Sequence, residues 1–334
     1  FPTALHLGFR PVFSLNPSYP GVRRILRLAA PRVVELAFLQ ILRASDLFFA
    51  SLISTASYGY LTFAQHLEMI PVSLFGLSLA EASLPALSYR RRQGKVFKDT
   101  LLLNFRRILF LTLPIAVTFA VLRIPLVRLA FGASRFTWDA TVLTGLALSM
   151  FAVGILGQAL SLYFVRSFYA LQNTVTPVLV GVGIIIFNVL LSAYLVLVLG
   201  LPVWGLALSF AISALGQATI LGILLARKIG FPLAGFLNPA FRVGGAAAIS
   251  GLVMFVLLKI FDRSAWDQRL SFLGGLTLPE RWELFVLDTR YTANLLLLTI
   301  FVALVGALVY LALCRVMGVE EMKIFSQIWR RLPR

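Results

Sequence analysis

The chain has 334 residues, of which 60% are hydrophobic and only 13% are charged. A soluble domain usually carries about 25% charged residues, so this composition excludes an ordinary soluble protein and also a disordered one. The single cysteine, Cys314, excludes an internal disulfide. The net charge of +17 would suggest a nucleic-acid partner in a soluble protein, but in a membrane protein the side on which the charges lie matters more. We expect an all-α integral membrane protein with no nucleic-acid partner.

Apolar stretches of about 20 residues, bounded by charged or turn residues, predict membrane-spanning helices. Eight such stretches occur, at 33–54, 57–87, 106–124, 139–168, 175–199, 202–226, 242–261 and 293–314. The second and fourth are longer than one membrane thickness, so we expect them to tilt or to continue past the surface.

Lys and Arg residues concentrate in alternate gaps between these predicted spans. Because short cytoplasmic loops are enriched in both residues, we predict that both termini are cytoplasmic. Attraction to anionic lipids at the inner surface then explains the high positive charge without a polyanionic partner.

Ionisable side chains inside the spans are few, and each is a candidate for function because a charge in lipid is costly. Arg43 and Asp46 in the first span are three residues apart on neighbouring positions of one helix face. They either pair with each other, or Asp46 takes part in binding an ion or a substrate.

The second span carries Gln65, His66 and Glu68 in its outer half and Glu81 deeper toward the inside. A histidine can change its charge near neutral pH, but a lone membrane histidine is as often a packing residue. Glu81 is surrounded by small residues, a pattern that suits close helix packing as well as a polar cavity.

Asn188 and Ser192 of the fifth span lie four residues apart, on one face of the predicted helix. Together with Asp46 they offer the oxygen ligands that a hard monovalent cation accepts. Asn and Ser also join membrane helices through hydrogen bonds, so a purely structural role is the alternative.

Motifs for catalysis or transition-metal binding are absent from the sequence. It contains no histidine pair at metal-ligand spacing, no phosphate-binding glycine loop followed by Lys and Ser or Thr, and no serine motif with base partners. We therefore expect neither an enzyme nor a cofactor.

Several separated motifs resemble one family of transporters. They are FAQHLEMIPVSLFGLSLAEASLPALS at 63–88, RFTWDA at 135–140, SFYALQNTVTPV at 167–178 and WGLALS at 204–209. In order and spacing they are similar to the MurJ (MviN) family of lipid II flippases, which belongs to the multidrug/oligosaccharidyl-lipid/polysaccharide exporter superfamily.

The resemblance implies helices seven to fourteen of a fourteen-helix protein in a bacterial inner membrane. On this basis we divide the chain into an N-terminal cytoplasmic or interfacial segment at 1–28, a six-helix C-lobe at 29–230, two appended spans at 231–316 with an external loop at 262–292, and a cytoplasmic amphipathic tail at 317–334. The other lobe of the cavity would come from the missing N-lobe, in the same parent chain or in a separate subunit.

The family moves an undecaprenyl-pyrophosphate-linked peptidoglycan precursor to the outer leaflet by alternating access. By resemblance, Asp46 and Asn188 fall on positions of the family's sodium site, with Ser192 and Ser209 as looser candidates and Na⁺ or H⁺ as the coupling ion. His66, Arg43, Gln65 and Glu81 are the candidates for binding the lipid headgroup.

The sequence departs from the family pattern at two positions. The family's D-R pair reads Gln65–His66 here, so a cavity arginine is replaced by a histidine that holds pyrophosphate only when protonated. The family's aspartate after FYA is Asn173. There are therefore two alternatives to lipid II transport. One is a flippase for another polyprenyl-linked glycan, and the other is a non-transporting membrane scaffold that recruits cell-wall assembly proteins through 318–334.

Overall fold

The computed structural model describes residues 20–132, 136–232, 234–263, 282, 285–289 and 291–322. In the first helix, side chains are described at Val33 and from Leu36 onward. The helices, in chain order, are α1 Pro20–Ile53, α2 Ser57–Pro71, α3 Ser78–Arg90, α4 Gly94–Val121, α5 Arg123–Phe131, α6 Trp138–Ala170, α7 Val175–Ala193, α8 Trp204–Ile229, α9 Ala234–Phe261 and α10 Thr292–Val316.

The prediction of an all-α protein with eight membrane spans is confirmed. Eight helical segments in the described residues are long and apolar enough to cross a membrane. Three helices begin well before the predicted spans, at Pro20 rather than 33, at Gly94 rather than 106 and at Ala234 rather than 242. Charged residues such as Arg106 end an apolar window, but they do not end a helix whose backbone hydrogen bonds continue.

The second span is a continuous helical segment, Ser57–Arg90, that contains a π-helical turn at Val72–Leu77 between α2 and α3. The turn follows Pro71, whose missing N–H and ring disturb the regular hydrogen-bond ladder. Within the turn, Gly76 lies so close to α6 that an added methyl group would be 2.8 Å from the Cβ of Ala159. The two helices therefore meet backbone to backbone at this level.

Helix α6 is the centre of the bundle and packs against α2, α3, α4 and α8. Its Tyr163 is fully buried and donates a hydrogen bond to the Leu101 carbonyl of α4 at 2.8 Å. Because lipid is as apolar as the core, such close packing and hydrogen bonding, rather than removal from water, holds membrane helices together.

The last two spans, α9 and α10, pack on each other and on α4. The Ser250 hydroxyl donates to the Gly306 carbonyl across the pair, and the Tyr310 hydroxyl donates to the Phe110 carbonyl, both at short distance. An ion pair between Arg106 and Glu320 connects α4 to the segment that follows α10.

The division into a lobe and an appended pair remains a prediction. Most of segment 1–28, of the external loop 262–292 and of the tail 317–334 lies outside the described residues. The predicted N-terminal segment overlaps α1, which begins at Pro20.

Candidate functional site

A ladder of four polar side chains joins α7 to α8 inside the bundle. The Asn188 Nδ2 donates to the Ser213 Oγ at 3.1 Å, and the hydroxyl oxygens of Ser192 and Ser209 are 2.6 Å apart. All four side chains are buried. The two pairs follow from antiparallel packing, because each step of four residues along α7 is matched by a step of four backward along α8.

One hydrogen bond of this ladder has a fixed direction. Ser209 Oγ lies 2.7 Å from the Leu206 carbonyl, so its only hydrogen points there and it accepts the hydrogen of Ser192. No described group donates to Ser192 Oγ or to Asn188 Oδ1, since Asn188 bonds Ser213 through its nitrogen. These oxygens are of the kind that a hard cation binds.

Asp46, the fourth predicted cation residue, lies on α1, which packs against α7. Its side chain is partly buried and forms no hydrogen bond with Asn188, Ser192 or Ser209. The structure thus brings three of the four predicted cation residues together and adds Ser213, while the place of Asp46 in the site stays a prediction.

A cavity of about 600 Å³ adjoins the ladder between α1, α6, α7 and α8. Its walls are mostly apolar, with polar groups that include Asn188, Ser213, Gln158, Gln217 and Arg166. The buried Oε1 of Gln158 has no hydrogen-bond partner among the described residues.

Arg166 supplies the positive charge in the wall of this cavity. Its guanidinium lies 3.5 Å from the carboxylate of Glu81 on α3 and 5.9 Å from the ring centroid of Tyr169. The side chains of Arg166 and Glu81 are 31% and 60% exposed, so water screens the pair and it contributes little to stability. Glu81, predicted to contact the substrate, is thus half of an inter-helix ion pair.

Of the two alternatives for the first span, pairing of Arg43 with Asp46 is not observed among the described residues. The described residues do form ion pairs elsewhere, between Arg106 and Glu320 and between Arg166 and Glu81. Arg43 is exposed on the surface of α1, whereas Asp46 turns partly inward.

Arg43 belongs to a polar stripe on the exposed face of α1 that also includes Gln40 and Ser51. A second stripe runs along α2 and α3 and consists of His66, Ser73 and Glu81. Successive members of each stripe are three, seven or eight residues apart, which places them on one helix face. These side chains lie inside spans and are exposed in the described chain, although Glu81 also contacts Arg166 of α6.

Gln65 and Glu68, the other two candidate polar residues in this part of α2, lie off this stripe. Gln65 is half-buried, and Glu68 is completely buried on the side that faces the bundle. Of the four residues predicted to bind the headgroup, His66, Arg43 and Glu81 are therefore exposed, whereas Gln65 is half-buried.

Ser213, Arg166 and Gln158 were not predicted as site residues. Ser213 follows Ser209 by four residues, so the spacing that pointed to Asn188 and Ser192 could have identified it as well. Nothing in the sequence indicates that Arg166 reaches a cavity. Asn173 has a structural role, because its Oδ1 accepts the Thr176 N–H at the start of α7.

The family model described as lipid II flippase MurJ matches residues 1–274 of the chain. A probable lipid II flippase MurJ of Bdellovibrio bacteriovorus is 29% identical over 72% of the chain and 46% of its own length. The lipid II flippase MurJ of Burkholderia cenocepacia is 27% identical over 75% of the chain and 50% of its own length. The chain therefore spans about half the length of the curated relatives it matches.

Solved structures show the same fold. A lipid II flippase MurJ in an inward closed conformation aligns with 90% of the chain and 56% of its own length, with a TM-score of 0.62 and 21% identity. An outward-facing multidrug transporter of the MATE family in the MOP superfamily aligns with 90% of the chain and 66% of its own length, with a TM-score of 0.52 and 16% identity.

Proposed function

The chain belongs to the lipid II flippase MurJ family, and we propose that it forms one half of a transporter that moves lipid II from the inner to the outer leaflet. In this proposal the chain is a transport component rather than an enzyme. The second half is an N-terminal lobe, in the same parent protein or in a separate subunit, and the two lobes enclose the headgroup by alternating access.

The two exposed polar stripes carry this proposal. Exposed polar side chains lie at membrane depth on both helical segments, namely Gln40 and Arg43 on α1 and His66, Ser73 and Glu81 on the second span. Polar groups there are unfavourable against lipid and are stable where they face a water-filled cavity or another protein. A cavity between two lobes meets that requirement and supplies polar contacts for a glycan pyrophosphate.

Arg43 is the principal contact for the pyrophosphate in this proposal. A guanidinium binds phosphate oxygens through two parallel hydrogen bonds and is always charged. Arg43 is free for this role because its side chain is exposed and not paired with Asp46. His66 adds a second positive charge only when its imidazole is protonated.

The orientation of the protein follows from its charge distribution. We place both termini in the cytoplasm of a bacterial inner membrane, because Arg and Lys residues concentrate in the gaps that this orientation makes cytoplasmic. In this orientation lipid II enters from the inner leaflet, and its headgroup meets the polar side chains of α1 and α3.

Coupling to Na⁺ or H⁺ is the second element of the proposal. The free lone pairs of Asn188 Oδ1 and Ser192 Oγ supply two oxygen ligands, and Asp46 on the adjoining α1 supplies the negative charge. A small movement of α1 toward α7 would complete the site, so cation binding would favour one arrangement of the lobe over another.

A flippase for another polyprenyl-linked glycan is the second candidate. The observation that favours it is His66, an exposed histidine at the position of the family's cavity arginine. Competition between lipid II and a second undecaprenyl-pyrophosphate glycan for binding to the purified protein would separate the two substrates.

Rescue of cells depleted of their own lipid II flippase tests the proposal. The protein encoded by the whole reading frame that contains this chain should restore growth, and Arg43→Ala should abolish the rescue. Thr219→Ala is the matched control, because Thr219 is also polar and exposed in a span but lies outside both stripes. A protein that inserts and accumulates normally yet gives no rescue would contradict lipid II transport.

A further inference from the structure

Glu68 is a carboxyl group buried completely inside the bundle. Its relative exposure is 0%, and neither of its carboxyl oxygens has a hydrogen-bond partner among the described residues. It follows Ser57, the first residue of the second span, by eleven residues, which is about 16 Å along a helix. This position is close to the middle of a hydrocarbon layer about 30 Å thick.

The helical turns on either side of Glu68 pack against apolar side chains. One turn before it on the same face, Ala64 packs in a cluster with Leu148 of α6, and one turn after it, Val72 packs with Ile155 of α6. An ionised carboxylate is far less favourable in such a setting than the neutral acid, because neither water nor a hydrogen-bond donor compensates its charge.

No charged group offsets this cost in the described part of the chain. Glu68 forms no ion pair or hydrogen bond with the ionisable groups of its own helix or of the helices packed against it. Those groups are Tyr58, Tyr60 and His66 on α2, Arg43 and Asp46 on α1, Lys95, Lys98, Asp99, Arg106 and Arg107 on α4, Asp139, Tyr163, Arg166 and Tyr169 on α6, and Arg227 and Lys228 on α8.

Packing alone gives no reason for a carboxyl at this position. The next residue, Met69, is 50% exposed. A helix shaped only by packing would bury the flexible methionine and expose the glutamate, the reverse of what is observed. A buried and unsatisfied carboxyl inside a membrane span therefore points to a function that needs its proton.

We propose that Glu68 is a proton-binding site of this lobe, separate from the polar ladder between α7 and α8. The packed arrangement holds Glu68 as a neutral acid. Release of the proton leaves a carboxylate that must reach water, so α2 and α6 separate at this level; uptake of one proton from water restores the packed arrangement. Raising the pH thus favours the open arrangement, and lowering it favours the packed one.

The link to transport rests on the proposed function, whereas proton binding itself does not. In a transporter, a carboxyl that reaches water in one arrangement and is occluded in another couples proton movement to the lipid step. Glu68 is then a second coupling site, for H⁺, in addition to the cation site proposed at the polar ladder.

Infrared spectroscopy of the complete protein in lipid nanodiscs tests proton binding directly. The wild type should show the C=O band of a protonated carboxyl, which Glu68→Gln removes and which Asp99→Asn, a change at an exposed carboxylate, leaves in place. The band should decrease as the pH is raised. If Glu68→Gln removes no protonated-carboxyl band at any pH at which the protein is folded, the proposal is overturned.

The role in coupling is tested with lipid II translocation in proteoliposomes. We expect the wild-type rate to change at least tenfold with the imposed pH gradient and the rate of Glu68→Gln to be independent of it. Glu68→Met is the second variant, because it fills the same apolar space without a titratable group, and it should behave like Glu68→Gln.

The outcomes separate the two proposals. A Glu68-dependent infrared band in a protein that moves no lipid would retain the proton site and contradict the flippase. Translocation that depends equally on the pH gradient in all three proteins would retain the flippase and overturn the coupling role of Glu68.

Discussion

The hydroxyl oxygens of Ser192 and Ser209 lie 2.6 Å apart and connect α7 to α8 within a buried interface. Because Ser209 donates to the Leu206 carbonyl, the hydrogen between the two serines belongs to Ser192. The pair is therefore a directed hydrogen bond whose donor keeps two unused lone pairs. The same geometry joins the two helices and, in the proposed function, contributes with Asn188 to cation binding.

Mutation of the two serines distinguishes these roles. We expect Ser192→Ala and Ser209→Ala each to lower the free energy of unfolding by about 1 kcal/mol, and the double variant to lower it by less than the sum. If the ladder binds Na⁺, thermal unfolding of the wild type should shift upward with NaCl relative to KCl, and Ser192→Ala should remove the shift. An equal response to both salts in all variants would leave the ladder with a structural role alone.

Gly157 of α6 tests the close contact between α6 and α8, and Gly183 of α7 is the control. A methyl group added at Gly157 would lie 2.5 Å from the Leu215 backbone nitrogen, whereas one at Gly183 meets nothing within 4 Å. Gly157→Ala should lower the free energy of unfolding by about 1–3 kcal/mol. Gly183→Ala should be neutral or raise it by up to about 1 kcal/mol, because Ala favours a helix. Thermal unfolding in detergent measures both, and equal effects would refute the contact.

The ion pair between Arg166 and Glu81 should matter more for transport than for stability. Both side chains are partly exposed, so Glu81→Gln should change the free energy of unfolding by no more than about 1 kcal/mol. If the main role of Glu81 is to restrain Arg166, Glu81→Gln should alter the rate of lipid II translocation. Asp139→Asn, at an exposed carboxylate near the start of α6, is the control.

Much of the fold follows from the sequence because membrane spans must be long and apolar. The eight spans could be predicted, but the start of α4 at Gly94 could not, since a helix continues past charged residues that leave the apolar layer. The short helix α5 was also not predicted. Its nine residues are too few to form an apolar window of membrane length.

The site could be predicted only in part, because residue type does not reveal which way a side chain faces. Asn188 and Ser192 were identified from their spacing, and the structure shows the partner of each on α8. Arg43 and Asp46 are three residues apart in the sequence, but in the structure Arg43 is exposed, Asp46 is partly buried and the two do not pair. Glu68 stood beside His66 in the sequence, and only three-dimensional packing distinguishes the buried carboxyl from the exposed imidazole.

The polar stripes make a prediction about Arg43 that concerns its hydrogen bonds as well as its charge. Arg43→Lys keeps the charge but loses the planar pair of donors, so lipid II binding should weaken, though less than with Arg43→Ala. Removing a charged hydrogen bond costs about 1.5–3 kcal/mol. A binding assay with labelled lipid II in detergent should therefore show a loss of about 10- to 100-fold for Arg43→Ala.

The most direct test of the account is the rate at which the complete protein, reconstituted in liposomes, moves lipid II across the bilayer. We predict measurable translocation by the wild type and by Thr219→Ala, and at least a tenfold lower rate for Arg43→Ala at equal amounts of folded protein. A rate that is the same for Arg43→Ala and the wild type would contradict the claim that the exposed stripe of α1 faces the lipid II headgroup.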